Sequence, residues 1–302
     1  MINSFKTQKL DHTPTRTLSQ ASRRAHQMRK RLTNWGLQAL TILLVFAMLF
    51  PLFWLYMTAL KPEGQMFGYP LDILPQTITF DNFVRAWNSV GFPDAFRNSL
   101  LVASVSSLIT LVIALLAAFS LSRFRYPLQN VFSLAILGMQ MLPGVLIVVP
   151  LIVILRQLSL TNTLHGLIIV TLMVQLPVAV WMLKGYMDDI PKDFDEAALI
   201  DGASYIQVMW RVILPLLLPA IVAITAFAFI LSWGEYVFAL SLITSTDKKT
   251  LPLALQAAFG QYTIDWGMLT AGGVIISLPP TILFVIFQRY LVSGLTSGGL
   301  KG

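Results

Sequence analysis

Six stretches of this chain carry no Asp, Glu, Lys or Arg. They lie between Arg31 and Lys61, Arg97 and Arg123, Arg125 and Arg156, Arg156 and Lys184, Arg211 and Glu235, and Asp265 and Arg289. Each can supply the roughly 20 apolar residues that a bilayer-crossing helix needs. The stretches are continuously apolar and lack the period-two alternation of a barrel strand. Lipid offers the backbone no hydrogen-bond partner, whereas a helix satisfies its own N–H and C=O groups. The pattern predicts an all-α polytopic membrane protein with six transmembrane helices.

Polar punctuation sets the remaining boundaries. Residues 1–34 mix Ser, Thr and Gln with basic residues and read as a basic tail; a first transmembrane helix follows at 35–60. Its apolar run lies behind more than thirty polar residues and exceeds the roughly 7 to 15 of a signal-peptide core, so it is expected to remain uncleaved. The Pro-rich segment 61–95, with Phe83, Trp87 and Phe92, is expected to be a small folded excursion. Residues 96–291 hold five further helices, interrupted by a polar loop at 188–211, and a short tail occupies 292–302.

Composition agrees with this class: 56% of the 302 residues are hydrophobic and 12% charged, with a mean hydropathy of +0.73, far from ordinary globular usage. The net charge of +7 invites a nucleic-acid reading. That excess is local, however, because residues 1–36 hold eight basic residues and one acidic. Lys and Arg favour cytoplasmic loops. With the N-terminus inside, fifteen of them fall on the cytoplasmic side and six outside, so both termini are expected to be cytoplasmic, in a bacterial inner membrane.

The inventory removes several chemistries. There is no cysteine, and His12, His26 and His165 are the only histidines, so no metal site and no cofactor is expected. No Gly-x-x-x-x-Gly-Lys-Ser/Thr phosphate loop occurs, so any ATP would be hydrolysed by another chain. A proton-coupled carrier would keep several ionisable groups within its helices, each costing about 2.5 to 3.5 kcal/mol at mid-membrane. Here Glu235, in Trp233-Gly234-Glu235-Tyr236, is the clear candidate. It reads equally as a pathway residue and as a helix-end carboxylate facing water, with Trp233 and Tyr236 as further pathway candidates.

The polar loop reads as two short helices. Pro191 suits a first helical turn, Asp193, Asp195 and Glu196 complement the dipole, and Gly202 suits a left-handed terminator. Phe194, Ala197 and Ala198 share a face, small except for one aromatic anchor. Ser204 can cap a second helix whose Tyr205, Val208, Met209 and Val212 recur at helical spacing. Pro215 and Pro219 should bend or break the backbone where the next span begins.

These residues carry a resemblance. The loop Glu196-Ala197-Ala198, Gly202, Val212, Leu214-Pro215 resembles the signature of binding-protein-dependent permeases of ATP-binding-cassette importers, with Val212 where the signature has Ile. Further segments are similar to the carbohydrate type, especially the MalG-like permeases of maltose-type systems. They include Asp81-Asn82-Phe83, Arg97-Asn98-Ser99, Ser122-Arg123-Phe124-Arg125-Tyr126, Met141-Leu142-Pro143, Pro150, Trp233-Gly234-Glu235-Tyr236 and the tail from Tyr290 to Gly302. Two residues depart from the family: Leu128 stands where relatives usually carry Gly, and Gly234 where many have Asn.

The resemblance implies a type I importer permease fold and a transport subunit without enzymatic activity. Its implied partners are a second, MalF-like permease, a MalK-like cytoplasmic ATPase dimer, a periplasmic or lipid-anchored solute-binding protein, and a sugar. It also implies an ATPase-coupling loop of Phe194, Glu196, Ala197, Ala198, Asp201, Gly202, Leu214 and Pro215, and an ATPase-facing tail with Gly298, Gly299 and Lys301. Beside it stand the proton-coupled carrier, an importer permease for a non-sugar solute, and a membrane enzyme or scaffold.

Overall fold

Because each apolar stretch must close its own backbone hydrogen bonds, helices account for nearly all regular structure among the described residues; one isolated bridge joins Phe259 and Ile264. The computed structural model describes residues 20–299, except 71, 90, 142, 261 and 262. Fourteen helices occur there: α1 (Gln20–Ala59), α2 (Glu63–Met66), α3 (Asp81–Asn88), α4 (Phe92–Arg123), α5 (Gln129–Met141), α6 (Gly144–Gln157), α7 (Leu164–Asp188), α8 (Asp193–Ile200), α9 (Tyr205–Val208), α10 (Leu214–Leu216), α11 (Leu218–Trp233), α12 (Val237–Leu242), α13 (Leu251–Ala254) and α14 (Trp266–Gly299). The chain forms two compact units, one up to Trp54 and one from Leu55 onward.

Four helical stretches are long and apolar enough to cross a membrane unbroken: Thr33–Ala59, Phe92–Arg123, Leu164–Asp188 and Trp266–Arg289. Each of the other two apolar stretches is a bent pair, and with each pair taken as one span the described residues hold the six expected. Gln129–Met141 and Gly144–Gln157 meet at 103°, and Tyr205–Leu216 and Leu218–Trp233 at 80°. Proline accounts for both breaks. Pro143 stands at the N-cap of α6 and Pro219 in the first turn of α11, where the missing N–H costs nothing but the preceding helix cannot continue; Pro215 lies within the helical stretch Tyr205–Leu216, before the bend.

In the second unit α4, α7 and α11 form the centre. One cluster joins Ala114, Leu115, Ala118 and Phe119 of α4, Val180, Leu183 and Met187 of α7, Val208, Met209 and Ile213 of the following turns, and Ala220 and Ile224 of α11. Small residues let these backbones approach closely, and polar side chains tie them where lipid supplies no partner. Gln175 of α7 does so twice: its Nε2 donates to the Ala228 carbonyl (2.9 Å) and its Oε1 accepts from Thr110 of α4 (3.2 Å). Ser106 and Ser232 pair at 3.0 Å between α4 and α11.

At the Phe92 end of α4, asparagines clamp the connections. Asn98 donates to the Asp247 and Lys249 carbonyls, and Ser99 Oγ accepts from the Leu251 N–H. Asn162 accepts from the Thr244 and Ser245 N–H groups. The segment between α1 and α4 is folded, as expected: Asn82 donates to the Ala59 and Lys61 carbonyls, and Arg85 pairs with Asp265 at 3.0 Å. Asp81-Asn82-Phe83 and Arg97-Asn98-Ser99 thus serve as structural ties.

Leu128, the departure from glycine, has φ +68°. An L-residue in this left-handed region costs roughly 1–2 kcal/mol, and the exposed side chain (65%) recovers little by packing. Leu128→Gly is expected to stabilise the detergent-solubilised protein by about 1 kcal/mol, read as a raised thermal midpoint. An unchanged or lowered midpoint would show that the strain is relieved elsewhere.

Candidate coupling surface

α7 ends at Asp188, and Pro191 then precedes α8 without entering it. The proline was expected in the first helical turn. Its carbonyl instead accepts from the Phe194 N–H (3.4 Å), while that of Lys192, the N-cap, accepts from Asp195 and Glu196. Asp193, Asp195 and Glu196 occupy the first turn, where carboxylates complement the dipole.

The end of α8 is a Schellman motif. Ala203 N–H donates to the Ala198 carbonyl and Gly202 N–H to that of Leu199, both at 3.0 Å. The motif needs a left-handed residue, and Gly202 has φ +86°. A Cβ there would meet nothing within 4 Å, so the glycine answers a backbone requirement and not a packing one. Two residues later Ser204 forms a capping box: its Oγ accepts from Gln207 N–H (3.4 Å), and its own N–H donates to Gln207 Oε1 (2.8 Å). The helix runs on through a π-turn at Met209–Ile213 into α10.

One side of this loop is bound to the bundle. Ala198, Val212 and Leu214 pack against the central cluster, in which Val208, Met209 and Ile213 are buried. Beneath α8, Asp195 is 7% exposed, and its Oδ2 lies 2.5 Å from Nε of Arg123, the last residue of α4. The same guanidinium donates to the Met187 carbonyl through Nη1 (2.9 Å) and to the Ile190 carbonyl through Nη2 (3.2 Å). Ser122 donates to Asp188 Oδ1 (2.6 Å), whose other oxygen meets Lys184 Nζ at 2.6 Å. Loss of water pushes the Asp195 carboxyl above the usual range, and Arg123 pulls it back. Phe124 packs against Tyr205 at a tilt, with ring centroids 5.0 Å apart.

The other side is open. Phe194, Glu196, Ala197, Asp201, Gly202 and Pro215 are exposed. So are Ile200 and Ile206, at 86% and 69%, flanking Gly202. An apolar knob with acidic neighbours, held from beneath, offers a face that another protein can grip. Sequence reasoning missed the Arg123–Asp195 pair and the two isoleucines. The isoleucines had a signal, since Ile200 continues the spacing of Phe194 and Ala197 and Ile206 falls outside that of Tyr205, Val208, Met209 and Val212; the ion pair had none.

The remaining candidates separate. Trp233 is 2% exposed; its indole donates to the Ile276 carbonyl (2.9 Å) and stacks on Phe229, so here it packs helices together. Glu235 is half-buried and its Oε1 accepts from Phe238 N–H (2.7 Å) at the start of α12. Tyr236 is exposed. Gly298 and Gly299 end α14; Lys301 lies outside the described residues. Among the described residues no three His, Asp or Glu side chains converge as a metal site would require.

The chain matches a family model, two curated relatives and a solved structure. The family model described as binding-protein-dependent transport system inner membrane component matches residues 110–297. Over 264 residues the chain is 35% identical to the sulfoquinovosyl glycerol transport system permease protein SmoH of Agrobacterium fabrum, covering 87% of this chain and 92% of that protein. It is 34% identical over 264 residues to the trehalose/maltose transport system permease protein MalG of Thermococcus litoralis, covering 86% and 94%. Its fold matches a chain in the crystal structure of a bacterial ABC transporter involved in the import of the acidic polysaccharide alginate. The TM-score is 0.76 at 20% identity, over 87% of this chain and 97% of that one.

Removing the capping box by Ser204→Ala is expected to cost about 1 kcal/mol locally. It should appear as faster amide exchange across residues 205–209, with the rest of the bundle unchanged. Unaltered exchange there would mean that packing alone orders α9.

Proposed function

The chain belongs to the binding-protein-dependent transport system inner membrane components, and from that premise we propose that it carries sugar across the membrane, coupled to a cytoplasmic ATPase through residues 193–202. It is a multi-pass inner-membrane permease subunit, a transport component and not an enzyme. The observation that supports the coupling reading is the two-sidedness of α8. Phe194, Ala197 and Ile200 are exposed, whereas Asp195, in the same helix, is buried against Arg123. A knob that is accessible above and fastened below transmits a push instead of absorbing it.

In this reading two dissimilar permeases form the pore, this chain and a MalF-like partner. A MalK-like ATPase dimer sits beneath them and a solute-binding protein docks on the opposite side. Closure of the ATPase pair draws α8 inward and turns the bundle outward-open; the binding protein releases sugar into the pore, and hydrolysis resets it. The Lys and Arg bias supports a cytoplasmic location for both termini, and for the α8 end of the bundle with them, on the ATPase side. The α14 backbone runs ten residues past Arg289, about 15 Å at helical rise, which supports an ATPase-facing tail containing Gly298, Gly299 and Lys301. Sugar is supported by the relatives' names, which give sulfoquinovosyl glycerol and trehalose or maltose as their solutes.

A proton-coupled carrier fits less well. Glu235, its principal carboxylate, is engaged in capping α12. Of the three pathway candidates, Glu235 and Tyr236 keep accessible surface and remain suited to meeting a solute.

Gly202→Asp tests the coupling reading. It strains a left-handed turn and adds a carboxylate to the open face, where no atom of this chain approaches a Cβ. Uptake is expected to fall roughly tenfold or more, equivalent to about 1.4 kcal/mol of docking free energy, at unchanged membrane abundance. Normal uptake at normal abundance would sink it.

A further inference from the structure

The chain itself links α8 to α7 before it and to α11 beyond α9 and α10, but nothing covalent links α8 to α4 nearby. What does so is the guanidinium of Arg123. Its Nε meets Asp195 of α8, and its two terminal nitrogens donate to carbonyls at and beyond the end of α7. Both terminal nitrogens hydrogen-bond to backbone, while Nε contributes an ion contact, all from one rigid planar group. The side chain is 4% exposed and that of Asp195 10%, so water does little to weaken the attraction.

Stability alone explains the pair poorly. Desolvating two charges often costs as much as their attraction returns, and a well-packed apolar pair of the same volume serves a static fold as well. A fork that accepts one arrangement of three elements does something an apolar contact does not: it fixes their relative placement. The next residue adds a second tie, since Phe124 lies between Phe119 of α4 and Tyr205 at the start of α9, with centroids 5.8 and 5.0 Å away.

We infer that Arg123 is a positioning residue for energy coupling, the tie through which displacement of α8 is delivered to α4 as well as to the two spans joined to it by the chain. The inference rests on reading residues 193–202 as the ATPase-coupling loop. With the tie intact, α8 and the inner ends of α4 and α7 move as one body. With it cut, α8 still binds the ATPase, because the exposed face is untouched, but its motion no longer reaches α4.

The test uses the complete importer in proteoliposomes: both permeases, the ATPase and the loaded binding protein. The variants are Arg123→Gln, Asp195→Asn, the double variant, and Asp195→Glu. The complex is expected to assemble with its full complement of ATPase in all four. Sugar moved per ATP hydrolysed should drop roughly tenfold or more in each neutral single variant, the scale of coupling between contacting residues. The double variant should be no worse than either single, and Asp195→Glu, which restores the charge, should recover most of the loss. Unchanged transport per ATP in both singles would overturn the inference. So would losses that multiply in the double variant, or loss of assembly in step with loss of transport. A coupling defect in Gly202→Asp without one at Arg123 and Asp195 overturns only this inference. If the unmodified chain recruits no ATPase, or Gly202→Asp couples normally, the reading of the loop itself fails.

Discussion

At the seam where α4 and α7 end, a guanidinium has been taken out of water, and its charge is balanced only if the loop carrying Asp195 lies where it does. Removing either partner would strand a buried charge, at a cost of about 3 to 5 kcal/mol. The rest of the loop is shaped locally. α8 stops after eight residues in the Schellman motif, with Gly202 left-handed. The chain must then return to the bundle, and the capping box at Ser204 starts the helix that brings Val208, Met209 and Ile213 back into the core.

The same economy of polar groups runs along the bundle. Gln175 joins three helices at mid-span, Asn98 and Asn162 bind the connections at the Phe92 end, and Arg123 closes the other end. Between these ties lie small residues that permit close contact without a hydrophobic driving force, which lipid does not provide. The result is a bundle with polar ties along α4 and α7 and with bends in the two apolar stretches that contain Pro143 and Pro219.

Much of this was legible in the sequence because it depends on local chemistry. The apolar stretches gave the spans, the acidic first turn and Gly202 gave α8, Ser204 gave the capping box, and Pro219 gave the bend before α11. What stayed hidden depends on distance. Arg123 and Asp195 lie far apart in the chain, and no periodicity reports that a helix-end arginine will meet one particular carboxylate among four in the loop. Trp233 read as a pathway candidate because an aromatic beside Glu235 looks the same whether it faces a pore or Phe229. The break beside Pro143 was masked by apolar residues on both sides, since hydropathy measures length and not direction. At Leu128 only the backbone angle shows that the position favours glycine.

The account holds that α8 and the inner end of α4 move together when the ATPase closes. The absence of cysteine makes this directly measurable, because Lys192→Cys, at the N-cap of α8 and outside the proposed docking face, and Arg125→Cys place spin labels at two exposed sites with no competing thiol in this chain. In the assembled importer the distance between the labels, read by pulsed electron resonance with and without ATP, should stay single and narrow, constant to about 2 Å, the scale of ordinary helix shifts at interfaces. A distance that changes by more than this, or splits into two populations on ATP binding, would show α8 swinging free of α4 and contradict the account.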